Sequence, residues 1–585
     1  MKPKTQRSPK SRTPAAAAAP RRPAGWAPYA LAGAALVVML WAYAPALHGP
    51  FLFDDTSLPF ALPRFDSPLM VWLRSPRPVL YLTYWINARL SGSDPTSYHA
   101  FNLVFHALSA FLLFLIVRRL LEWSGAEKGR RDLLALFAAG VFLLHPLQTE
   151  AVAYLAGRSD GLSTLLVFAA YAVFLYRRHQ QVTWWNLAAL LPLTLAALLA
   201  KESAVVLPAL FLLTDFWWNP GFSLEGIRRN WRLYGVLALG GAAAVPVFWT
   251  TLQNAQTAGF ALKDLTWYQY FFTQCRALFV YVGLFVFPAG QDADWDFPIS
   301  QTVFAHGAIV GLIALIALAA VAWRYRRRYP LAAFGFFAYL LLMAPTSSIL
   351  PIRDPVAERR IYLSMLGLLL IAVEFVGRVR WDRNRLAAAT AAVVLILAAA
   401  THARAQVWSS DLALWEDTVQ KSPAKARAHF HLASAYYDQG QCGKAIDEYQ
   451  RTAQLQAPTY GLLVNWALAY DCASQPQRAL DKLKQAAAID RTEHVYTQMA
   501  KVYADTRQWP QALEALDTAA RINPSSALVF AYRGKVHFAT NEMSQAIEDY
   551  RRALALDPLM GDPPPAGLDV RQDLARAQAL AASRR

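Results

Sequence analysis

Apolar stretches at 26–46, 98–117, 133–147, 161–176, 184–200, 203–218, 233–250, 268–288, 303–323, 331–350, 361–377 and 386–402 punctuate the first 402 residues. No other feature constrains the chain as much. A bilayer core asks for about 20 mostly apolar residues per helical crossing. Backbone N–H and C=O groups that leave water must then be satisfied within the helix itself. These residues are therefore expected to form a polytopic, all-α transmembrane domain. The composition agrees: 56% of residues are apolar, 13% aromatic and 17% charged, where soluble domains carry about a quarter charged residues.

The net charge of +17 raises a nucleic-acid reading, which the distribution of the charge excludes. Lys2, Lys4, Arg7, Lys10, Arg12, Arg21 and Arg22 lie in a Pro/Ala-rich tail that holds no acid. Further clusters (Arg118–Arg119 with Lys128, Arg130 and Arg131; Arg177–Arg178; Arg228, Arg229 and Arg232; Arg324–Arg328; Arg378–Arg385) follow the second, fourth, sixth, ninth and eleventh stretches. Basic loops at every second end mark the cytoplasmic side. The tail, 1–25, is expected to be disordered and cytoplasmic, and the first stretch to be an uncleaved anchor. One conflict follows. The seventh stretch runs outward and the ninth inward, so the eighth, 268–288, is expected to be re-entrant or to lie along the outer interface. Eleven crossings then place everything after 402 outside the cytoplasm of a cell (inner) membrane. The chain has three Cys and no paired Cys motif, which excludes a zinc ribbon.

The C-terminal third repeats. Ala445, Ala479, Ala512 and Ala546 recur at intervals of 34, 33 and 34, each preceded by twelve residues by Ala433, Ala467, Ala500 or Gly534. Ala486, Ala519 and Ala553 follow seven after the last three. Tyr437, Tyr470 and Tyr503 hold matching places, and Pro524 and Pro558 close two units. This is the tetratricopeptide (TPR) pattern of small residues where paired helices touch. The expected organisation is a tail at 1–25, a membrane domain at 26–402, a linker and half repeat at 403–424 (helix from Asp411 to Pro423), TPR repeats at 425–558, and a linker with capping helix at 559–585. The repeat phase sets Cys442 and Cys472 at neighbouring helix ends. A disulfide there is one expectation, and two small residues at a helix contact the other; Cys275 is expected to stay free.

Ionisable residues near a membrane are costly and usually functional. The outer loops hold many: Asp54 and Asp55 in GPFLFDDTSLPF; His145, Glu150, Arg158 and Asp160 in HPLQTEAVAYLAGRSD; Lys201 and Glu202 in LLAKESAVVLP; Arg359, Arg360 and Tyr362 in PIRDPVAERRIYL. Each has a plainer reading: a helix cap for the acid pair, a helix end for His145, a structural ion pair for Lys201–Glu202, an interfacial anchor for Arg359–Arg360. Their shared side favours a site for a phosphate-bearing, hydroxyl-rich substrate.

In order, FDD, RPVLYLTYWIN, HPLQTEAVAYLAGRSD, AKES, AERRIYL and RAQVWSSDLALWEDTVQKSP leading into the repeats resemble the transmembrane-and-TPR O-mannosyltransferases and their bacterial relatives. The resemblance implies a GT-C-type, inverting glycosyltransferase. It would take a sugar, mannose in that family, from a polyprenyl-phosphate donor to a protein or glycan acceptor. Asp54 or Asp55 matches the family's acidic motif and would be catalytic. Arg158, Lys201, Arg359, Arg360 and Tyr362 would bind the donor phosphate, supported by His145, Glu150, Asp160 and Glu202. The acids are adjacent, not spaced as Asp-x-Asp, which leaves a divalent metal open. Polypeptide acceptors or partners would dock on the repeats. The competing expectations are a non-enzymatic membrane-anchored TPR scaffold for envelope assembly and a lipid-linked glycan ligase or polymerase.

Overall fold

A computed structural model describes residues 27–61, 68–254, 257–558, 560 and 568–583; the basic tail lies outside them. Among the described residues the chain is all-α, with one isolated bridge pairing Ala258 and Ile352. Each of the twelve apolar stretches is a helix, from Ala27–Tyr43 through Pro95–Trp123 and Arg158–Leu175 to Ile361–Arg378 and Arg383–Val407.

Among the described residues, six helices can cross a membrane by length and composition, or seven if Lys128–Leu144 and Pro146–Ala153, bent by 53°, form one broken span. That is fewer than the eleven crossings expected. Length accounts for part of the difference. Trp184–Ala200 has 17 residues and Pro330–Met343 has 14, which at 1.5 Å per residue cover about 26 and about 21 Å of a roughly 30 Å core. Helices also appear where the sequence reading saw only a loop: Leu69–Leu73 and Pro78–Ser91, between the first two spans.

The basic loops share one end of the bundle. Arg130 donates to the Trp381 carbonyl at 3.2 Å, and Arg378 to that of Arg328. The opposite end is here called the site face. The eighth stretch, helix Trp267–Val286, has both ends on that face. Near its start Tyr270 Oη donates to the Thr346 carbonyl, just past the end of Pro330–Met343 (2.5 Å). Near its finish the Phe285 carbonyl meets His145 Nε2, just past the end of Lys128–Leu144 (3.0 Å). The helix therefore lies across the bundle's end, one of the two arrangements expected for it. Deeper in the bundle, Pro330–Met343 crosses Ile361–Arg378 at Gly335 and Gly367, where a Cβ on either would strike the other's carbonyl. Such small-residue crossings are how helices approach closely in lipid.

Beyond Asp411–Lys421, four antiparallel pairs stack: Ala426–Asp438 with Cys442–Leu455, Tyr460–Cys472 with Pro476–Ile489, Glu493–Asp505 with Trp509–Ile522, and Ala527–Ala539 with Met543–Leu556. Helix Val570–Ala582 covers the last pair. Ala445, Ala479, Ala512 and Ala546 are completely buried at the contacts. Each pair turns through one left-handed residue, at Gly440, Ser474, Arg507 and Asn541. These carry the same 34, 33, 34 spacing, yet only the first is the glycine that would advertise it. Cys442 and Cys472 form a disulfide between the first two pairs, with Cα atoms 5.9 Å apart; Cys275 is free and buried.

The solenoid's first helices dock on the site face. Arg427 forks onto Asp294 (2.7 and 2.5 Å) and reaches Asp354 (2.9 Å). Lys425 pairs with Asp294 at 3.1 Å, Ser422 donates to Asp292 at 2.5 Å, and Lys421 donates to the Gln291 carbonyl at 2.6 Å. Burial raises the carboxyl of Asp292, whereas the Arg427 and Lys425 charges outweigh burial at Asp354 and lower it.

Candidate active site at the junction of bundle and solenoid

The acid pair sits in a short 3-10 helix, Phe53–Ser57, and its two members differ completely. Asp55 is 1% exposed. Its carboxylate accepts from the backbone N–H of Leu52 (3.1 Å) and of Ala156 (2.6 Å), tying the first loop to the LAGR turn a hundred residues on. Burial outweighs those hydrogen bonds and pushes Asp55 up to about 7. Its oxygens are engaged, so it is a brace. Asp54 is exposed, and its backbone N–H donates to Tyr154 Oη (3.0 Å). Of the two acids, Asp54 is the one a substrate can reach.

Tyr154, which senses both Asp54 and Arg359, links it to a row of paired charges. Buried Glu150 takes both the backbone N–H of Arg359 (2.8 Å) and its guanidinium. Lys201 pairs with Asp160 at 2.5 Å, and Arg77 forks onto Glu202 at 3.0 and 2.8 Å. The pairs feel one another: Lys201 senses Asp160, Arg77 and Arg359, and burial lowers its ammonium. The Arg77 charge holds Glu202 below the usual carboxylate range against burial. Among the described residues, the hydrogen bonds of Arg359 run only to Glu150, which leaves the rest of its fork for a ligand.

The structure separates the other expected site residues from this row or binds them to backbone. Arg158 is buried, donating to Asn102 (2.7 Å), Asn87 (2.7 Å) and the Tyr98 carbonyl (2.8 Å); it holds the loop helices together. His145 accepts from the Leu147 N–H (3.2 Å) and bonds the Phe285 carbonyl (3.0 Å), a helix-end role. Tyr362 meets His106 inside the bundle at 2.7 Å. Arg360 donates to the carbonyls of Pro355 (2.9 Å) and Asp354 (2.6 Å), bracing its own loop. A cavity of about 20 Å³ of mixed lining lies between Asp160, Ser163, Thr164, Ser203, Thr346 and Arg360, with Leu342 and Leu363 closing it. That is room for about one water and not for a sugar. No group of three or more His, Cys, Asp or Glu is placed to hold a metal among the described residues.

Sequence reasoning passed over four residues that the fold brings here. Arg77 and Tyr154 lie inside the quoted motifs and could have been found there. His431 and Arg427 come from the solenoid, with no signal beyond the repeat itself. His431 stacks on Trp415 (4.5 Å) and meets Phe53 edge-on (5.4 Å). Burial and the Arg427 charge push its imidazole down to about 4.

Comparison with known proteins gives three kinds of likeness. A family model for the tetratricopeptide repeat matches residues 497–560. Among curated proteins, human protein O-mannosyl-transferase TMTC1 is 25% identical over 516 residues, covering 76% of this chain and 57% of that protein. Drosophila melanogaster Tmtc3, also named a protein O-mannosyl-transferase, is 24% identical over 566 residues, covering 83% and 57%. Drosophila Tmtc1 is 38% identical over 130 residues, 22% of this chain and 14% of its own. In the two longer matches the chain thus spans 57% of the relative's length. Among solved structures, MamA aligns at 18% identity over 25% of this chain and 86% of its own, with a TM-score of 0.24, which carries no argument.

Proposed function

We propose that this chain, whose homologues are the transmembrane-and-TPR protein O-mannosyltransferases, is a membrane glycosyltransferase of GT-C type. It moves mannose, with inversion, from a polyprenyl-phosphate donor to a hydroxyl of a polypeptide on the outer side of the membrane. The observation that carries the reading is an exposed carboxylate, Asp54, joined through Tyr154 to a row of paired cations on the face where the solenoid docks.

The chemistry assigns the parts. The acceptor hydroxyl loses its proton to Asp54 as its oxygen attacks the anomeric carbon, and the bond from that carbon to the phosphate oxygen breaks on the opposite face. Positive charge grows at the sugar and negative charge on the departing polyprenyl phosphate. Arg359 meets those phosphate oxygens with a planar fork, and Lys201 adds a point charge behind it. Glu150 and Asp160 hold the two cations before the donor arrives, so little reorganisation is left for the reaction itself.

The Cys442–Cys472 disulfide supports an oxidising compartment for the solenoid, in line with the basic loops at the opposite end. The test is transfer in membranes holding the full chain, supplied with a panel of polyprenyl-phosphate sugars and a Ser/Thr-containing peptide. Labelled peptide with the mannose donor is the expected result. No transfer with any donor overturns the enzymatic reading and favours a scaffold, and lengthening of a lipid-linked glycan instead of peptide labelling favours a ligase or polymerase. A reporter fused after Pro558 should behave as exported; activity of a reporter that folds only in the cytoplasm overturns the orientation.

A further inference from the structure

Phe53, the residue before Asp54, sits in the left-handed region at φ 49°. Away from the solenoid's repeated turns, a bulky side chain in that conformation is uncommon and calls for surroundings that hold it. Here the surroundings are a ring cage. Tyr154 of the bundle stacks on Phe53 at 6.1 Å and 25°. The other walls belong to the solenoid: Trp415 edge-on at 5.3 Å, His431 edge-on at 5.4 Å, and the Arg427 guanidinium 5.3 Å from the ring centre. Those walls are themselves fixed. Trp415 and His431 stack at 4.5 Å and 15°, the Trp415 indole N–H reaches Asp411 at 3.1 Å, and Arg427 is anchored on Asp294 and Asp354. A solenoid that only recruited an acceptor would need no ring contact with the loop that carries the base.

We propose that Trp415 and His431, from the first two helices after the bundle, are positioning residues that clamp Phe53 and so aim the Asp54 carboxylate, making the start of the solenoid part of the catalytic unit. The proposal rests on Asp54 being the general base. A base acts only within hydrogen-bond reach of the proton it takes, and a misplacement of about 1 Å can cost roughly 10²-fold in rate. His431 supplies a flat neutral ring. Its burial beside Arg427 keeps the proton off, so stacking, and not an ion pair with Asp54, is its contribution.

The test uses the full chain in liposomes, with polyprenyl-phosphate mannose and a Ser/Thr-containing peptide, and compares wild type, His431→Ala and His431→Phe. Two quantities are read: kcat and peptide KM, and hydrogen exchange of the amides of residues 53–57. His431→Ala should lower kcat roughly 10- to 10²-fold, leave peptide KM within about twofold, and speed exchange in 53–57. His431→Phe, which restores a ring, should recover both. Wild-type kcat in His431→Ala, wild-type exchange, a rise in peptide KM alone, or failure of the Phe variant to rescue each overturns the clamp. If the wild-type chain transfers no sugar, the functional reading has failed and exchange alone decides the clamp: faster exchange rescued by Phe upholds it, unchanged exchange overturns it.

Discussion

At the repeated helix contacts of the solenoid the buried positions are small and apolar, Ala445, Ala479, Ala512 and Ala546, whereas on the site face the buried positions include Asp55, Glu150 and Glu358. In the first region one rule is repeated, and any residue obeying it serves. In the second each buried carboxylate has its own partners: Asp55 two backbone amides, Glu150 the backbone and side chain of Arg359, Glu358 the Gln291 side chain and the Asp292 amide. Repetition makes a structure stable and legible. Individual pairing makes a site, and it costs more to disturb because a buried polar group left alone forfeits its full solvation.

The largest expected effect separates the two members of the acid pair. Asp54→Asn removes the proposed base from an exposed position and should cut sugar transfer roughly 10²- to 10⁴-fold with an unchanged melting temperature, read by transfer assay and thermal unfolding of the same preparation. Full activity in that variant removes Asp54 from the mechanism. Next comes the solenoid. Cys442→Ser opens a bridge across a sequence separation of 30, and by loop-closure entropy this should cost about 3–4 kcal/mol, seen as earlier denaturant unfolding of the solenoid in the exported chain. A mass map of the exported wild-type chain with both thiols free would deny the bond altogether.

Asp55 gives a smaller and opposite signature. Its carboxyl is raised to about 7 by burial, so the folded chain holds the proton more tightly than the unfolded one. The sign follows: this group's contribution to stability is greatest below about pH 4, falls as pH rises to about 7, and is level above that. Asp55→Asn should abolish that slope. It should also cost about 1–3 kcal/mol, because the amide's NH₂ would face a backbone N–H where an oxygen now accepts. Thermal unfolding between pH 4 and 8 reads both. Transfer should fall only in proportion to folded protein; a loss as deep as that of Asp54→Asn would return Asp55 to the catalytic role.

What could be read beforehand follows the same division. All twelve apolar stretches were legible because length and hydropathy act residue by residue, and the repeat because Ala and Gly recur in phase. The phase set Cys442 and Cys472 at neighbouring helix ends, but did not choose a disulfide over two small residues in contact; the structure does. Helix Pro78–Ser91 was not legible, since 14 mixed residues fall below the length that marks a span. Nor was the choice between Asp54 and Asp55, which depends on Ala156, 101 positions away. Arg158 and His145 looked like site residues because ionisable groups near a membrane usually are; the fold spends them on Asn102, Asn87 and helix ends instead. His431 had no signal because its partner, Phe53, lies in the other region of the chain.

The smallest effect on stability concerns the outer end of the charge row. Arg77 and Glu202 form a forked pair whose side chains are 36% and 37% exposed, unlike Glu150, which is 2% exposed beneath Arg359. An exposed pair contributes between about 0 and 1 kcal/mol, since solvent screens it and two long side chains must be ordered. Arg77→Gln should therefore move the melting temperature by no more than about 2–4 °C. Its charge is nevertheless felt by Lys201 and lies in the row proposed to meet the donor phosphate. Loss of that charge should raise the donor KM severalfold at low salt and less at high salt, where screening weakens it, while kcat at saturating donor holds. A large melting shift would make the pair a brace like Asp55. An unchanged donor KM at every ionic strength would end the phosphate-binding row at Lys201.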